Sequence, residues 1–280
     1  MKNLYGIVIL YNPTNKIIKN IESYLPCLEK LYVMDNSPAM NEVLVNGIKN
    51  LSGKIVYKFL NKNSGIAYPI NRVLDELNDD DWLMTMDQDS CFFDNTFKDY
   101  IDVIPSLDKS VYAICPKIMY ENKVKEQANR LKEIDKCIQS GSIYNVKILH
   151  SVGGFDEKLF IDGVDYEICY RCKKLGYKLY RNYQGILLHH LGDKINNWRS
   201  KLIPISLTQH SALRRYYIVR NNLYLKDKYP DIKAWVYTYL VVGLMKIILV
   251  DDNRIKKLKA AWKGYKAYKG GIFGYVENIL

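Results

Sequence analysis

At 280 residues, 48% of them hydrophobic and 25% charged, the chain can bury one sizeable core, with or without a C-terminal extension, and is too apolar to be disordered. It carries no low-complexity tract and no internal repeat, which excludes the fibrous and repeat classes. The net charge of +11 is uneven: residues 194–280 hold 17 basic and 5 acidic side chains, residues 1–193 hold 24 and 25, so a near-neutral body carries a basic end suited to an anionic partner surface.

The chain opens on M-K-N-L-Y-G-I-V-I-L-Y. No small-residue cleavage site follows and the run turns into N-P-T-N, so residues 4–11 read as a first strand rather than a signal peptide. Residues 14–25 read as a helix with Thr14 as N-cap, and 31–35 as a second strand ending in D-N-S. A helix over 40–51, a strand over 54–60, a helix over 65–77 entered through N-K-N-S-G, and a strand over 82–86 follow. This βαβαβαβ order with short connections predicts an α/β fold with a mostly parallel sheet flanked by helices. In such sheets ligands bind at the carboxyl ends of the strands. Asn12, Asp35, Asn36, Asp87 and Asp89 all gather there. No G-x-G-x-x-G follows the first strand, which argues against a dinucleotide fold.

The fourth strand, W-L-M-T-M, ends in D-Q-D-S. On an extended segment the i, i+2 spacing puts Asp87 and Asp89 on one face. Two hard oxygen ligands there suit Mg²⁺ or Mn²⁺, and such an ion can hold a diphosphate. The plainer reading is a solvated turn.

Residues 111–116 read as a strand and 119–139 give no clear pattern. Gly141-Ser142 opens a short helix to Val152, G-G-F-D is a turn, 164–175 a helix, and 178–181 and 185–189 are strands. The cysteines at 27, 91, 115, 137, 169 and 172 are scattered, and the lone C-x-x-C at 169–172 lacks the second pair a structural zinc wants. Residues 211–228 form a basic, Tyr-rich helix. The stretch 234–250 is strongly apolar, but its longest uncharged run, 234–245, falls short of the ~20 residues a spanning helix needs, so an interfacial or docked helix is expected. Residues 255–269 are amphipathic, with Leu258, Trp262 and Tyr265 on one face and lysines on the other.

Four constellations belong together: D-N-S at 35–37, suited to a base or ribose; N-S-G-I-A at 63–67 with Asn71 and Arg72, at a helix entrance that favours anions; D-Q-D-S at 87–90; and G-G-F-D-E with V-D-Y-E-I-C-Y-R, followed by L-H-H-L-G-D. Together they resemble family 2 glycosyltransferases of the GT-A fold, more narrowly the bacterial rhamnosyltransferases of surface polysaccharide. The resemblance covers roughly residues 4–222, with a weaker echo at 262–274.

It implies a GT-A catalytic domain over residues 1–203, with a nucleotide-binding half of about 1–90 and an acceptor half of about 91–203. Residues 204–280 would be a basic helical extension. It implies a divalent metal, Mg²⁺ or Mn²⁺, held by Asp89 and Asp87 and completed by His189, or by His190 if the register is off by one. The donor-binding set would be Tyr11, Asn12, Asp35, Asn36, Gly65, Asn71, Arg72, Asp87 and Gln88. Arg220, with Arg215, would reach the diphosphate, and a surface role is equally open to both. Aligned on Arg171, the general-base position falls on Asp165 and Glu167 takes the second acid's place. The usual preceding Glu is Val164 here, and an extra Asp162 lies nearby, so the base stays open between Asp165 and Asp162. Asp162 and Glu167 are also expected at the acceptor.

The implied reaction is one in-line displacement with inversion, because a single base has no second carboxylate nucleophile beside it. The implied partners are dTDP-rhamnose and a lipid-linked glycan acceptor. The enzyme would sit as a peripheral protein on the cytoplasmic face of an anionic membrane. An oligomer is compatible with the sequence. The alternatives are the same fold with UDP-galactofuranose, a UDP-hexose or a UDP-N-acetylhexosamine, and a non-catalytic nucleotide-sugar binding protein. No aromatic–basic RNA-reading motif is present, which argues against a nucleic-acid partner.

Overall fold

The first strands are runs of branched and aromatic residues that leave no polar face. In β2 (Lys30–Asp35) and β4 (Trp82–Asp87) five consecutive residues of each are buried, the pattern of strands covered on both sides. β1 (Leu4–Leu10) lies between them and pairs in parallel with both, and β2 pairs in parallel with β3 (Ile55–Phe59). The connections carry α1 (Lys16–Glu22), α2 (Glu42–Lys49) and α3 (Ala67–Leu74). The computed structural model describes residues 3–119, 130–189, 209–276 and 279. The expected Thr14 cap is not formed: α1 starts at Lys16 after Asn15, without a side-chain cap. In α2, Asn41 does cap, accepting from the Leu44 N–H at 3.2 Å.

The sheet continues through β5 (Cys91–Phe92), β6 (Val111–Met119), β7 (Leu131–Ile134), β8 (Ser142–Asn145) and β9 (Lys178–Leu188), with α4 (Thr96–Ile101), α5 (Val146–Val152) and α6 (Val164–Lys174) between them. Its order is β3-β2-β1-β4-β8-β6-β9-β5, with β7 on β9. The mixed half differs from expectation in two places. Residues 142–145 are strand, not the first turn of a helix, because they pair antiparallel with both β4 and β6; helix α5 begins only at Val146. Local pattern yields here to tertiary pairing. The two short strands expected at 178–181 and 185–189 are one strand, whose register against β6 jumps between Asn182 and Ile186.

Two compact units make up the chain: Met1–Asp156 with Asp165–His190, and Glu157–Val164 with Leu191–Leu280. The expected boundary at residue 203 lies outside the described residues. The first unit holds the sheet and an apolar core that includes Ile21, Leu31, Val33, Met84 and Phe97.

The second unit holds α7 (Ala212–Lys228), α8 (Lys233–Leu249) and α9 (Arg254–Lys269). Ser211 caps α7 by accepting from the Arg214 N–H at 3.2 Å. The packed face of α9 lies apart from Trp262 and Tyr265 of its amphipathic stripe. It is the small-residue side, Ala260, Ala261, Gly264 and Ala267, while Trp262 and Tyr265 stay exposed and stack on each other at 5.2 Å. Small residues win because α7 comes too close for anything larger: a Cβ at Gly264 would lie 2.3 Å from the Tyr216 carbonyl oxygen. α8 buries only Val236 and Ile247. Counting the helix instead of its uncharged run alters the expectation for this segment. Pro230–Leu249 spans 20 residues and contains an 18-residue window of mean hydropathy 1.6, by length and composition alone enough to cross a membrane.

Gly264→Ala is expected to destabilise the protein by about 1–3 kcal/mol, because the obstacle is backbone and cannot swing aside. Gly53→Ala, where nothing lies within 4 Å of the added carbon, should stay within about 0.5 kcal/mol. Denaturant unfolding of both variants checks the pair.

Candidate active site

Parallel pairing sets the ends of β1, β2 and β4 level: Leu10 faces Asp35 and Ile9 faces Asp87. Each end is then tied to its neighbours by side chains. Buried Asp35 accepts from the Tyr57 hydroxyl at 2.6 Å and from the Ser37 N–H at 2.9 Å. Burial, and then this bond to Asp35, push the Tyr57 phenol well above its ordinary pKa. Asn36 donates to the Gly65 carbonyl at 2.8 Å and accepts from the Ser64 N–H and hydroxyl at 3.1 and 2.7 Å. Ser37 Oγ accepts from the Asn12 N–H at 2.8 Å. D-N-S thus fastens β3, the loop before α3 and the turn after β1. A cleft of about 220 Å³ opens beside it, lined by Asn12, Pro13, Asp35, Ser37 and Asn41 among others.

Gln88 joins the ends of β1 and β4. Its Oε1 accepts from the Tyr11 N–H at 2.8 Å, and its Nε2 donates to the Tyr11 carbonyl at 3.1 Å. Tyr11 itself is exposed. Gly65 turns the chain with φ +76°, and its N–H donates to Asn63 Oδ1 at 3.1 Å.

The carboxylates and one histidine converge. Ligand atoms of Asp87, Asp89 and His189 lie within 4.8 Å of one another, the only such group of three among the described residues. The short β5–β9 pairing makes this possible: Cys91 faces Leu188, so the next residue along β9 meets the D-Q-D-S loop. Ser90, fully buried, sets the imidazole at 2.8 Å from its Nδ1, and His189 Nδ1 lies 3.8 Å from Asp89 Oδ1. With Nδ1–H donating to Ser90 Oγ, Nε2 keeps its lone pair for a metal. Two carboxylates and one imidazole suit Mg²⁺ or Mn²⁺, and their exposed side leaves room for further oxygen ligands. His190 lies outside the described residues.

Asp165 sits in the first turn of α6, partly exposed, and its Oδ1 accepts from the Tyr166 N–H at 3.0 Å. The other acids differ from expectation. Glu167 is fully buried and accepts from Arg171 at 3.1 and 2.7 Å, while Arg171 also donates to the carbonyls of Val152 and Gly154. Its carboxylate braces the G-G-F turn and is not presented to an acceptor. Asp162, at φ +63° in the second unit, takes Arg214 on both oxygens at 3.2 and 3.3 Å.

Three more expectations need correction. Asn71 spends its amide on Phe155, donating to the carbonyl at 2.9 Å and accepting from the N–H at 2.8 Å, so it anchors that turn instead of a donor. Arg72 lies half exposed over the Tyr68 ring and pairs with Asp75 at 3.2 Å. Arg220 is buried in the second unit, donating to the carbonyls of Gly274, Lys158 and Leu159, and Arg215 pairs with buried Asp251 at 3.2 Å. Neither presents a free guanidinium to a diphosphate. Sequence reasoning missed the positioning residues Ser90, Ser37 and Ser140, whose Oγ accepts from the Asp87 N–H at 3.2 Å. Two of them stood inside motifs already singled out, and a hydroxyl next to a ligand residue was the signal.

The family model for glycosyl transferase family 2 matches residues 7–163. The dTDP-rhamnosyl transferase RfbF of Shigella flexneri is 29% identical over 306 aligned positions, covering 96% of this chain and 97% of that one. A crystal structure of GalNAc-T7 with UDP, GalNAc and Mn²⁺ superposes with a TM-score of 0.55 over 68% of this chain, at 13% identity. The chain spans 44% of that protein's length, and the likeness is one of fold. With the nucleotide-sugar sheet, its strand-end carboxylates and a family match across more than half its length, the chain belongs to glycosyl transferase family 2 and is a GT-A-fold glycosyltransferase.

Proposed function

We propose that this enzyme transfers L-rhamnose from dTDP-rhamnose to a lipid-linked glycan, with inversion, in the synthesis of a cell-surface polysaccharide. The observation that carries the donor assignment is the similarity to RfbF, a dTDP-rhamnosyl transferase, which covers 96% of this chain and 97% of that one. The Asp87–Asp89–His189 cluster supports use of a divalent cation, Mg²⁺ or Mn²⁺. Bound there, such an ion neutralises charge on the diphosphate leaving group.

The protein's own residues supply the rest. The cleft beside Asp35 and Ser37 takes the base and ribose, with Asn12 in its wall and Tyr11 and Asn36 next to lining residues in the chain. Gln88 keeps the Tyr11–Asn12 turn against the D-Q-D-S loop, so the nucleoside and the diphosphate end are held in one geometry. The carboxylate of Asp165 accepts the proton of the attacking hydroxyl. Asp165 holds the position on α6 that alignment on Arg171 gives the base, while Asp162 takes Arg214 on both oxygens. Residues 1–203 carry the catalysis and residues 204–280 mount it on the membrane, as a peripheral protein on the cytoplasmic face. Exposed Trp235, Tyr237, Val241, Val242, Met245 and Trp262 support that mount, set among the lysines of α7 and α9.

A panel of nucleotide sugars tests the donor: selective stabilisation and slow hydrolysis of dTDP-rhamnose, lost with EDTA, is the expected result, and preference for a UDP-sugar would overturn it. Asp89→Asn should abolish metal-dependent turnover. Ser90→Ala should weaken Mn²⁺ binding by about tenfold or more, read by calorimetry, since it releases the imidazole without removing a ligand. Asp165→Asn should bind donor as the parent does and lose about 10²–10⁴-fold in kcat. The same loss from Asp162→Asn alone would reassign the base. The Trp235→Ser/Trp262→Ser double variant should float less well with phosphatidylglycerol vesicles while keeping its folded circular-dichroism spectrum.

A further inference from the structure

The second unit contains a cavity that the transfer chemistry does not use. It has a volume of about 410 Å³ and is lined by Gln209, His210, Ser211, Asn253, Lys256 and Lys257, with Ala212 and Leu213. These residues are the N-terminal ends of two long helices, α7 of 17 residues and α9 of 16. Two positive helix ends therefore meet in one space, with Ser211 capping the Arg214 N–H on α7. Asn253, which begins α9, makes no side-chain cap.

The side chains add to that charge. Lys257 is 3% exposed, and its Nζ makes no hydrogen bond among the described residues; it lies 3.2 Å from Asp251 Oδ2. The same oxygen faces buried Arg215 at 3.2 Å, whose Nε is also unpartnered. One buried carboxylate is thus shared by two buried cations. His210 Nδ1 is buried without a partner. Burial, followed by Arg215, Arg214 and Lys246, pushes its imidazole down to about 4, as expected where positive potential is unbalanced. Two buried cations against one carboxylate, set near helix N-termini, leave positive charge in excess and favour an anion.

A second space of about 880 Å³ adjoins this one, sharing Asn253 and Lys256. Its wall includes Ile248, Ile255, Leu258 and Ala260, with Lys259 and Lys263 also lining it. Anion cavity and apolar groove therefore share part of one wall. We propose that together they bind the acceptor's lipid carrier: the cavity holds a phosphate or diphosphate, and the groove holds the isoprenoid chain attached to it. This rests on the reading of the acceptor as lipid-linked and gives that acceptor a site of its own, apart from the donor cleft. Charge complementarity selects the head, and the apolar wall selects a single flexible chain over a soluble phosphate.

The test is calorimetry on the full chain in EDTA, so that the carboxylate cluster cannot hold a diphosphate through a metal. Farnesyl diphosphate is the probe, with inorganic diphosphate, farnesol and phosphatidylglycerol vesicles as comparisons. Farnesyl diphosphate should bind about tenfold or more tightly than inorganic diphosphate or farnesol. Lys257→Met should remove that binding. Exposed Lys256→Glu, which leaves the buried pair intact, should weaken it by about tenfold, and Lys256→Arg should restore it. Equal affinity for inorganic diphosphate would overturn the groove, and displacement of farnesyl diphosphate by the vesicles would make the cavity a phospholipid headgroup site. No binding, or binding indifferent to both lysines, would overturn the proposal. Slow hydrolysis of dTDP-rhamnose by the same variants, assayed with Mg²⁺ or Mn²⁺ in place of EDTA, reports separately on the donor assignment.

Discussion

The constraint on which the rest depends is the register of β1 between β2 and β4. Because both pairings are parallel and in step, three strands end at one level, and the groups that follow them share one edge. A one-residue slip of β4 would turn Asp87 to the opposite face and move Asp89 away from the cleft. Full burial of the flanking strands holds the register, since either face would lose its apolar cover if the strand shifted. Gln88 then bonds across the join in both directions, so motif and frame are fastened at the same residue.

The second determinant is the return of β9. Pairing of only two residues in β5 with its far end places His189 beside Ser90, 99 positions earlier in the chain. A cluster assembled this way has little freedom in the imidazole plane, because buried Ser90 fixes one ring nitrogen. The G-G-F turn is held with comparable thoroughness. Asn71 grips Phe155 from one side, and Arg171, itself locked to buried Glu167, takes two carbonyls from the other. The buried charge at this turn, Glu167, is paired with and hydrogen-bonded to Arg171.

The helical unit follows a different logic. Close approach of α7 and α9 demands small residues at the contact, which sends aromatic and aliphatic side chains outward along α8 and α9. The result is an exposed apolar surface set among cations, a composition that costs solubility unless something covers it. The same crowding brings two helix starts together around a single shared carboxylate. Surface and cavity are thus two consequences of one packing choice.

The alternating strands of the first 90 residues were legible because period, burial and turn chemistry agree there, and D-Q-D-S was legible because two carboxylates ending an apolar strand have few structural uses. Within Ser142–Asn145 the local pattern is helical, and only the antiparallel partners on both sides make it strand. Asn71, Glu167, Arg215 and Arg220 carry the side chains a donor or acceptor site would need, yet each is consumed by a partner distant in the sequence or turned into the core. The chemistry of a residue is written in its side chain, and so the sequence by itself determined the family, the αβ alternation and the candidate ligands. Whether a polar group stays free to act depends on which backbone and which opposite charge reach it first, and that was decided only when the chain closed on itself.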